Sequence, residues 1–302
     1  PTESPLKVFR SFLLSSGRLY GRPLKVTAVA ALDLRSNRHI IRSAYALSRL
    51  LNSKLLNGRF YLQSLAARFK VWADGPVTPL AEEIPEMREL MKPDLEDRAG
   101  RPKLYDDPAF EARFKGKTGV NLARLKRLLR LEDMALRRAP EEMGVEKGPV
   151  PARRGGTVAA LLARLKRFQE TGAGAQTEGG RAVSAAFPPV VDDADFIYRM
   201  LKVYDRDFVW WTISANADEK RLKKLTMDPT FLPGFADSGA HLTNLAFYDA
   251  NLRALKIALE TKSEAGVAYM VKRLTRDAAD VFGVEAGSVH PGAPAAILLL
   301  GP

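Results

Sequence analysis

Residues Leu24 to Ala66 confine this chain to few folds. Leu24 to Leu34 (LKVTAVAALDL) is an apolar run rich in Val and Ala that reaches Asp33 near its end, the composition of a buried strand. His39 to Leu56 then carries apolar residues at Ile40, Ile41, Ala44, Leu47, Leu50 and Leu51, the spacing of an amphipathic helix. Asn57-Gly58 is expected to stop that helix, and Arg59 to Ala66 (RFYLQSLA) reads as a second strand. Strand, helix and strand in that order mark a parallel α/β sheet or barrel.

A second series comes late. Asp193 to Tyr204 is helical by pattern, and Phe208 to Ser214 (FVWWTIS) is an aromatic and β-branched strand. A short helix over Asp218 to Met227, a strand over Phe231 to Ala236 and helices over Asp249 to Glu260 and Ser263 to Arg276 follow. The tail from Gly287 to Leu300 reads as a turn and then a strand. Between the two series lie two basic amphipathic segments, Val120 to Arg138 and Val158 to Phe168, and a Gly-rich linker, Thr171 to Gly180. The expected organisation is therefore residues 1–115, a basic helical insert over 116–186, residues 187–284, and a return strand over 285–302.

The formal net charge of +12 invites a nucleic-acid partner. Its distribution argues against one: Arg113 to Arg167 holds 15 Lys and Arg against 5 Asp and Glu, so +10 of the +12 sits in one segment. That segment is expected to be a solvated amphipathic insert. The absence of cysteine excludes disulfides and thiolate metal sites. Metal ligands would have to come from His, Asp, Glu or a modified Lys, and the only histidines are His39, His241 and His290. The apolar runs are too short for a membrane span, and no secretory signal pattern opens the chain, so a cytoplasmic protein is expected. The chain starts at Pro1 without an initiator Met, which reads as a fragment or a processed product.

The stretch Phe231-Leu-Pro-Gly-Phe-Ala-Asp237-Ser-Gly-Ala-His241-Leu-Thr-Asn244 concentrates the candidate chemistry. Asp237 follows a short apolar strand, and Ser238-Gly239-Ala240 lets backbone and ligand approach closely. A carboxylate beyond the C-terminal end of a barrel strand can bind a metal and take a proton from the attacking water. An Asp in such a place also serves often as a simple cap. His241 can orient the loop or ligate, and Asn244 and Arg253 can bind a substrate carboxylate, Arg253 by a bidentate fork. His39 and His290 read as surface and turn residues, and Trp210-Trp211 as core.

Phe231 to Arg253, together with Val271 to Gly283, resembles the C-terminal part of the N-acyl-D-amino-acid deacylases, D-aminoacylase-like members of the metal-dependent amidohydrolase superfamily. Gly287-Ser-Val-His-Pro-Gly292-Ala-Pro-Ala is similar to the return of the chain into that superfamily's small β-sandwich. Ala31 to Asn37, Arg59 to Ala66 and Phe69 to Arg98 resemble segments of the branch that acts on acidic substrates. The resemblance skips about Gly116 to Ala186.

It implies an α/β fold, a partial (β/α)8 TIM-like barrel with the end of a small β-sandwich, which the basic helical insert read above interrupts. It implies hydrolysis of N-acyl-D-amino acids with zinc as cofactor and Asp237 as metal ligand and general base; His241, Asn244 and Arg253 stand as substrate-binding candidates on their own chemistry. The family's His-x-His pair is not in this sequence, and Ala296 stands where the family has Asp. A truncated or divergent copy is therefore expected, completed by a second copy or by a complementing N-terminal segment. The alternative is a catalytically inactive amidohydrolase-like subunit that binds or assembles; a nucleic-acid binder rests on charge alone.

Overall fold

The computed structural model describes residues 5–34, 39–79, 85–92, 100–116, 143–147, 156–172, 189–236 and 244–299. The chain runs α1 (Pro5–Leu13), α2 (Gly17–Tyr20), β1 (Val26–Ala31), α3 (His39–Leu51), β2 (Phe60–Ser64) and β3 (Phe69–Asp74). Helices α4 (Pro85–Met91), α5 (Gly100–Tyr105) and α6 (Pro108–Phe114) follow, then β4 (Met143–Lys147), β5 (Gly156–Thr157) and α7 (Val158–Thr171). The last third holds α8 (Asp193–Tyr204), β6 (Val209–Ala215), α9 (Glu219–Met227), β7 (Phe231–Pro233), α10 (Ala250–Leu259), α11 (Glu264–Leu274) and α12 (Arg276–Phe282).

The molecule is mixed α/β, with two small sheets and no closed barrel among the described residues. In the first sheet β2 lies between β1 and β7, and both pairings are parallel. The expected β1–α3–β2 unit forms because α3 lays Ile41, Ala44 and Leu47 against Phe60, Leu62 and Phe231. That covers one face of the sheet. On the other, Val29 of β1 is 62% exposed, and Tyr61 and Gln63 are only half-buried. Helix α3 ends at Leu51, earlier than Asn57-Gly58 predicts. A turn intervenes in which the Asn52 side chain bonds the Phe60 N–H (2.9 Å) and C=O (2.7 Å) and so starts β2.

The second sheet runs β3-β6-β4-β5 and is antiparallel throughout. Val209–Ala215 is the expected strand, but it does not continue the parallel series: it pairs with β3 and β4. Trp210 turns into the core and its indole N–H donates to the Gly75 carbonyl at 2.8 Å. Trp211 turns to the opposite face, opposite Trp72 of β3 and Gly144 of β4. A Cβ on Gly144 would lie 2.2 Å from the Trp211 ring. Gly144→Ala is therefore expected to cost about 1–3 kcal/mol through overpacking, read as a lower midpoint in thermal unfolding.

Residues 143–147 and 156–171 do not behave as a solvated insert. Met143, Val145, Val158, Leu161 and Leu165 share one hydrophobic core with Phe110, Phe114, Tyr198 and Trp210. The cations of α7 occupy its outer face while the apolar stripe is buried, which composition alone conceals. The predicted helix over Val120 to Arg138 lies outside the described residues.

The tail also departs from expectation. Among residues 284–299 no strand forms; Ala293 N–H bonds the His290 carbonyl at 3.0 Å in a turn, and Ile297, Leu298 and Leu299 are exposed. A strand needs a partner edge, and this segment pairs with none of the described strands. Among the described residues no helix is long and apolar enough to cross a membrane.

Candidate functional site

Because β1, β2 and β7 are parallel, their C-terminal ends lie on one side of the sheet. In parallel sheets that side is where ligands and chemistry gather. Beyond β1 comes Asp33, beyond β2 the run Leu65-Ala66-Ala67-Arg68, and beyond β7 the run Gly234-Phe235-Ala236. The Gly234 N–H reaches back to the Ser64 carbonyl at 3.3 Å, and the Phe247 N–H bonds the Ala236 carbonyl at 3.1 Å. Asp237 and His241 themselves lie outside the described residues.

One buried residue ties the segments that follow β1 and β2 together. Asn216, at the end of β6, accepts the Asp33 N–H on its side-chain oxygen at 2.9 Å. Its amide nitrogen donates to the carbonyls of Leu65 (3.2 Å) and Ala67 (3.1 Å). Its backbone N–H donates to the Asp33 carbonyl at 2.9 Å. The left-handed backbone, with φ of 57°, aims the side chain this way, a conformation Asn tolerates better than most residues. Asp33 is buried and pairs with Arg221 Nη1 at 3.2 Å. The buried Ser64 hydroxyl has no hydrogen-bond partner among the described residues.

Asn244 is buried, and its amide nitrogen donates to the carbonyls of Trp72 (3.0 Å) and Val77 (3.3 Å). Its own carbonyl accepts the Trp72 N–H at 2.7 Å. These bonds commit the amide nitrogen to anchoring the chain on β3. Arg253, on α10, is 55% exposed and pairs with Asp249 at 2.8 Å. It faces a groove of about 450 Å³ that the described ends of the Asp237 segment border through Ala246 and Phe247.

This groove runs beside β3, whose side chains alternate. Val71 points into a core with Leu65, Phe235, Leu245 and Phe247, and Phe69 packs against it. Arg68, Lys70 and Trp72 line the groove. The Lys70 ammonium sits 4.4 Å from the centre of the Trp72 ring and 4.0 Å from that of Trp211. Burial lowers the Lys70 pKa, with Glu146 opposing the shift. Across the groove, Lys223 bridges Glu219 (2.8 Å) and Glu260 (2.6 Å), which pushes its pKa up to about 12. The expected core role of the tryptophans thus holds for Trp210, while Trp211 supports the groove. Arg68, Lys70 and Trp72 escaped the sequence reading, although Phe69-Lys70-Val71-Trp72 carries the period-two alternation of a strand.

Among the described residues no three His, Asp or Glu side chains gather to hold a metal ion. His39 and His290 are exposed, and Asp33 is engaged by Arg221. The described residues do not by themselves fit zinc.

No family model matches the chain, and no solved structure matches it. It is similar to an uncharacterized protein of Mycobacterium bovis and to uncharacterized proteins of two Mycobacterium tuberculosis strains, CDC 1551 / Oshkosh and H37Rv. Each is 26% identical over 303 residues, an alignment that covers 96% of this chain and 43% of the relative. The chain spans less than half of each relative's length. Because the alignment takes in nearly the whole chain, the likeness runs through both sheets and the groove, not through the Asp237 segment alone.

Proposed function

We propose that this chain is part of a hydrolase of the amidohydrolase superfamily, built on a portion of a (β/α)8 barrel, that cleaves the amide of N-acyl-D-amino acids. The observation that carries this reading is the parallel pairing of β7 with β2. Asp237 follows Pro233, the last residue of β7, by four positions in the sequence, and parallel α/β enzymes hold catalytic groups in the segments that follow such strands. A sheet covered by α3 on one face and open on the other also supports the barrel reading, since barrel helices cover the outer face alone.

In this reading Asp237 is the general base. Its carboxylate takes a proton from water as the water oxygen bonds to the amide carbon, and returns that proton to the nitrogen as the C–N bond breaks. The products are a carboxylic acid and a free D-amino acid. His241 orients the loop, Arg253 meets the substrate carboxylate, and Asn244 anchors the segment's exit on β3. Zinc enters the proposal only as a cation that Asp237 would help to hold and that would polarise the amide carbonyl; no step here depends on it.

The test is release of free amine from N-acetyl-D-glutamate and N-acetyl-D-methionine by the purified chain, with zinc content measured alongside. Turnover that falls about 10²–10⁴-fold in Asp237→Asn supports the reading, the usual loss when a general base is removed. No turnover with zinc supplied overturns it for this chain and leaves a binding or assembly subunit.

A further inference from the structure

We propose that the groove beside β3 is a binding site for a small organic carboxylate, its charge held by Arg68, Lys70 and Lys256 and its apolar part set against Trp72, Phe247 and Ile257. The charge balance of the lining comes first. Of the cations facing the groove, Lys223 is taken up by Glu219 and Glu260, and Arg253 by Asp249. These ion pairs consume all three carboxylates of the lining. Arg68 acts on Glu219 and Glu146 on Lys70 through space, but neither cation, nor Lys256, makes an ion pair among the described residues; with five cations against three carboxylates the lining is net positive.

Lys70 is the most informative of them. Its ammonium is half-buried between two indole rings and makes no hydrogen bond among the described residues. Cation–π contacts offset part of its desolvation, but an ammonium carries three N–H donors and the rings accept none of them strongly. An anion in the groove would supply the missing acceptor. Burial already lowers the Lys70 pKa, and an anion would restore it.

The remaining lining is apolar: Ala66 and Ile257 belong to one hydrophobic core and Phe247 to another, and each also lines the groove. A volume of about 450 Å³ suits a ligand of roughly the size of an amino-acid derivative. Cations and apolar side chains lining one groove select an acid with a hydrocarbon body rather than a bare ion. A concave lining of this size also disfavours a polymer, which needs an extended track of cations and several stacking rings. The groove lining lies wholly among the described residues, and an acid bound there needs neither Asp237 nor catalysis.

Isothermal titration of the full chain with 3-phenylpropionate, its neutral isostere 3-phenylpropionamide and inorganic phosphate tests it. The expected result is saturable binding of the acid, at least tenfold weaker for the amide and for phosphate. Arg68→Gln with Lys256→Gln should weaken the acid a further tenfold or more without moving the unfolding midpoint, because both side chains are exposed. Equal binding of acid and amide overturns the proposal. So does undiminished binding in the double variant, phosphate binding as tight as the acid, or no saturation at all. An oligothymidylate that binds with a steep salt dependence while the acid does not would assign the groove to nucleic acid instead. Neither metal nor turnover enters the readout, so failure here and failure of the deacylase reading are distinguishable.

Discussion

Asp195→Asn is expected to lower the stability of the chain by about 3–5 kcal/mol, the usual cost of leaving a buried charge without its partner. Asp195 is 1% exposed on α8 and receives Lys115, itself only 6% exposed, together with Arg199 Nε at 3.0 Å. Its second oxygen accepts the Val191 N–H at 3.0 Å. Asparagine keeps the shape and removes the charge, so Lys115 is left in the core with only Glu111, a more exposed carboxylate. With a total stability of order 5–15 kcal/mol for a folded protein, this is a large fraction. Urea denaturation at pH 7 measures it directly.

The pH dependence has a definite sign. Burial alone would raise the Asp195 carboxyl, but Lys115, the Val191 amide and Arg199 outweigh it and hold the pKa below the usual range. Its contribution is therefore fully present above the unfolded value of about 3.9 and is lost as pH falls through the lower folded value. Burial would likewise lower Lys115, and Asp195 and Glu111 outweigh it and raise its pKa. That contribution is present below the unfolded value of about 10.4 and fades as pH rises through the folded one. The gap between parent and variant should thus be flat between about pH 5 and 9 and close at either extreme. A gap that widens in acid would contradict the assignment.

Asn216→Ala is the second large effect, expected at about 2–5 kcal/mol. The substitution strips the Asp33 N–H and the carbonyls of Leu65 and Ala67 of a side-chain partner. A buried group left unsatisfied costs about 1–3 kcal/mol, and alanine tolerates the left-handed backbone worse than asparagine does. Asn216→Gly separates the two causes, because glycine removes the hydrogen bonds and accepts the backbone. If both variants stay within about 0.5 kcal/mol of the parent, a range typical of neutral surface changes, Asn216 does not hold the strand ends.

These two residues also show what the sequence makes legible and what it leaves out. The β1–α3–β2 unit could be read because its signals are local: an apolar run, a 3.6-residue stripe and a second apolar run. Helices α8 and α9 could likewise be read from their pattern, and the structure adds the side-chain caps of Asp192 and Asp218 on their first turns. Val209–Ala215 was visible as a strand, yet its sheet was not, because the choice between parallel and antiparallel partners is made by residues far along the chain. Met143–Lys147 was hidden for the opposite reason, a five-residue strand with Gly at its second position and charges at its end. Asn216 gives no local cue at all: its partner Asp33 lies 183 positions away. At the candidate site the sequence singled out Asp237, His241, Asn244 and Arg253. The structure ties Asn244 to β3 and sets Arg253 at the groove, and Asp237 and His241 lie outside the described residues.

On the reading proposed above, the Asp237 segment performs D-specific amide hydrolysis. The most direct measurement compares amine release from N-acetyl-D-methionine and its L enantiomer, with zinc supplied, by the parent chain and by Asp237→Asn. Release from the D form alone is expected, reduced by about 10²–10⁴-fold in the variant. Equal release by parent and variant, equal use of both enantiomers, or no release by the parent would contradict it.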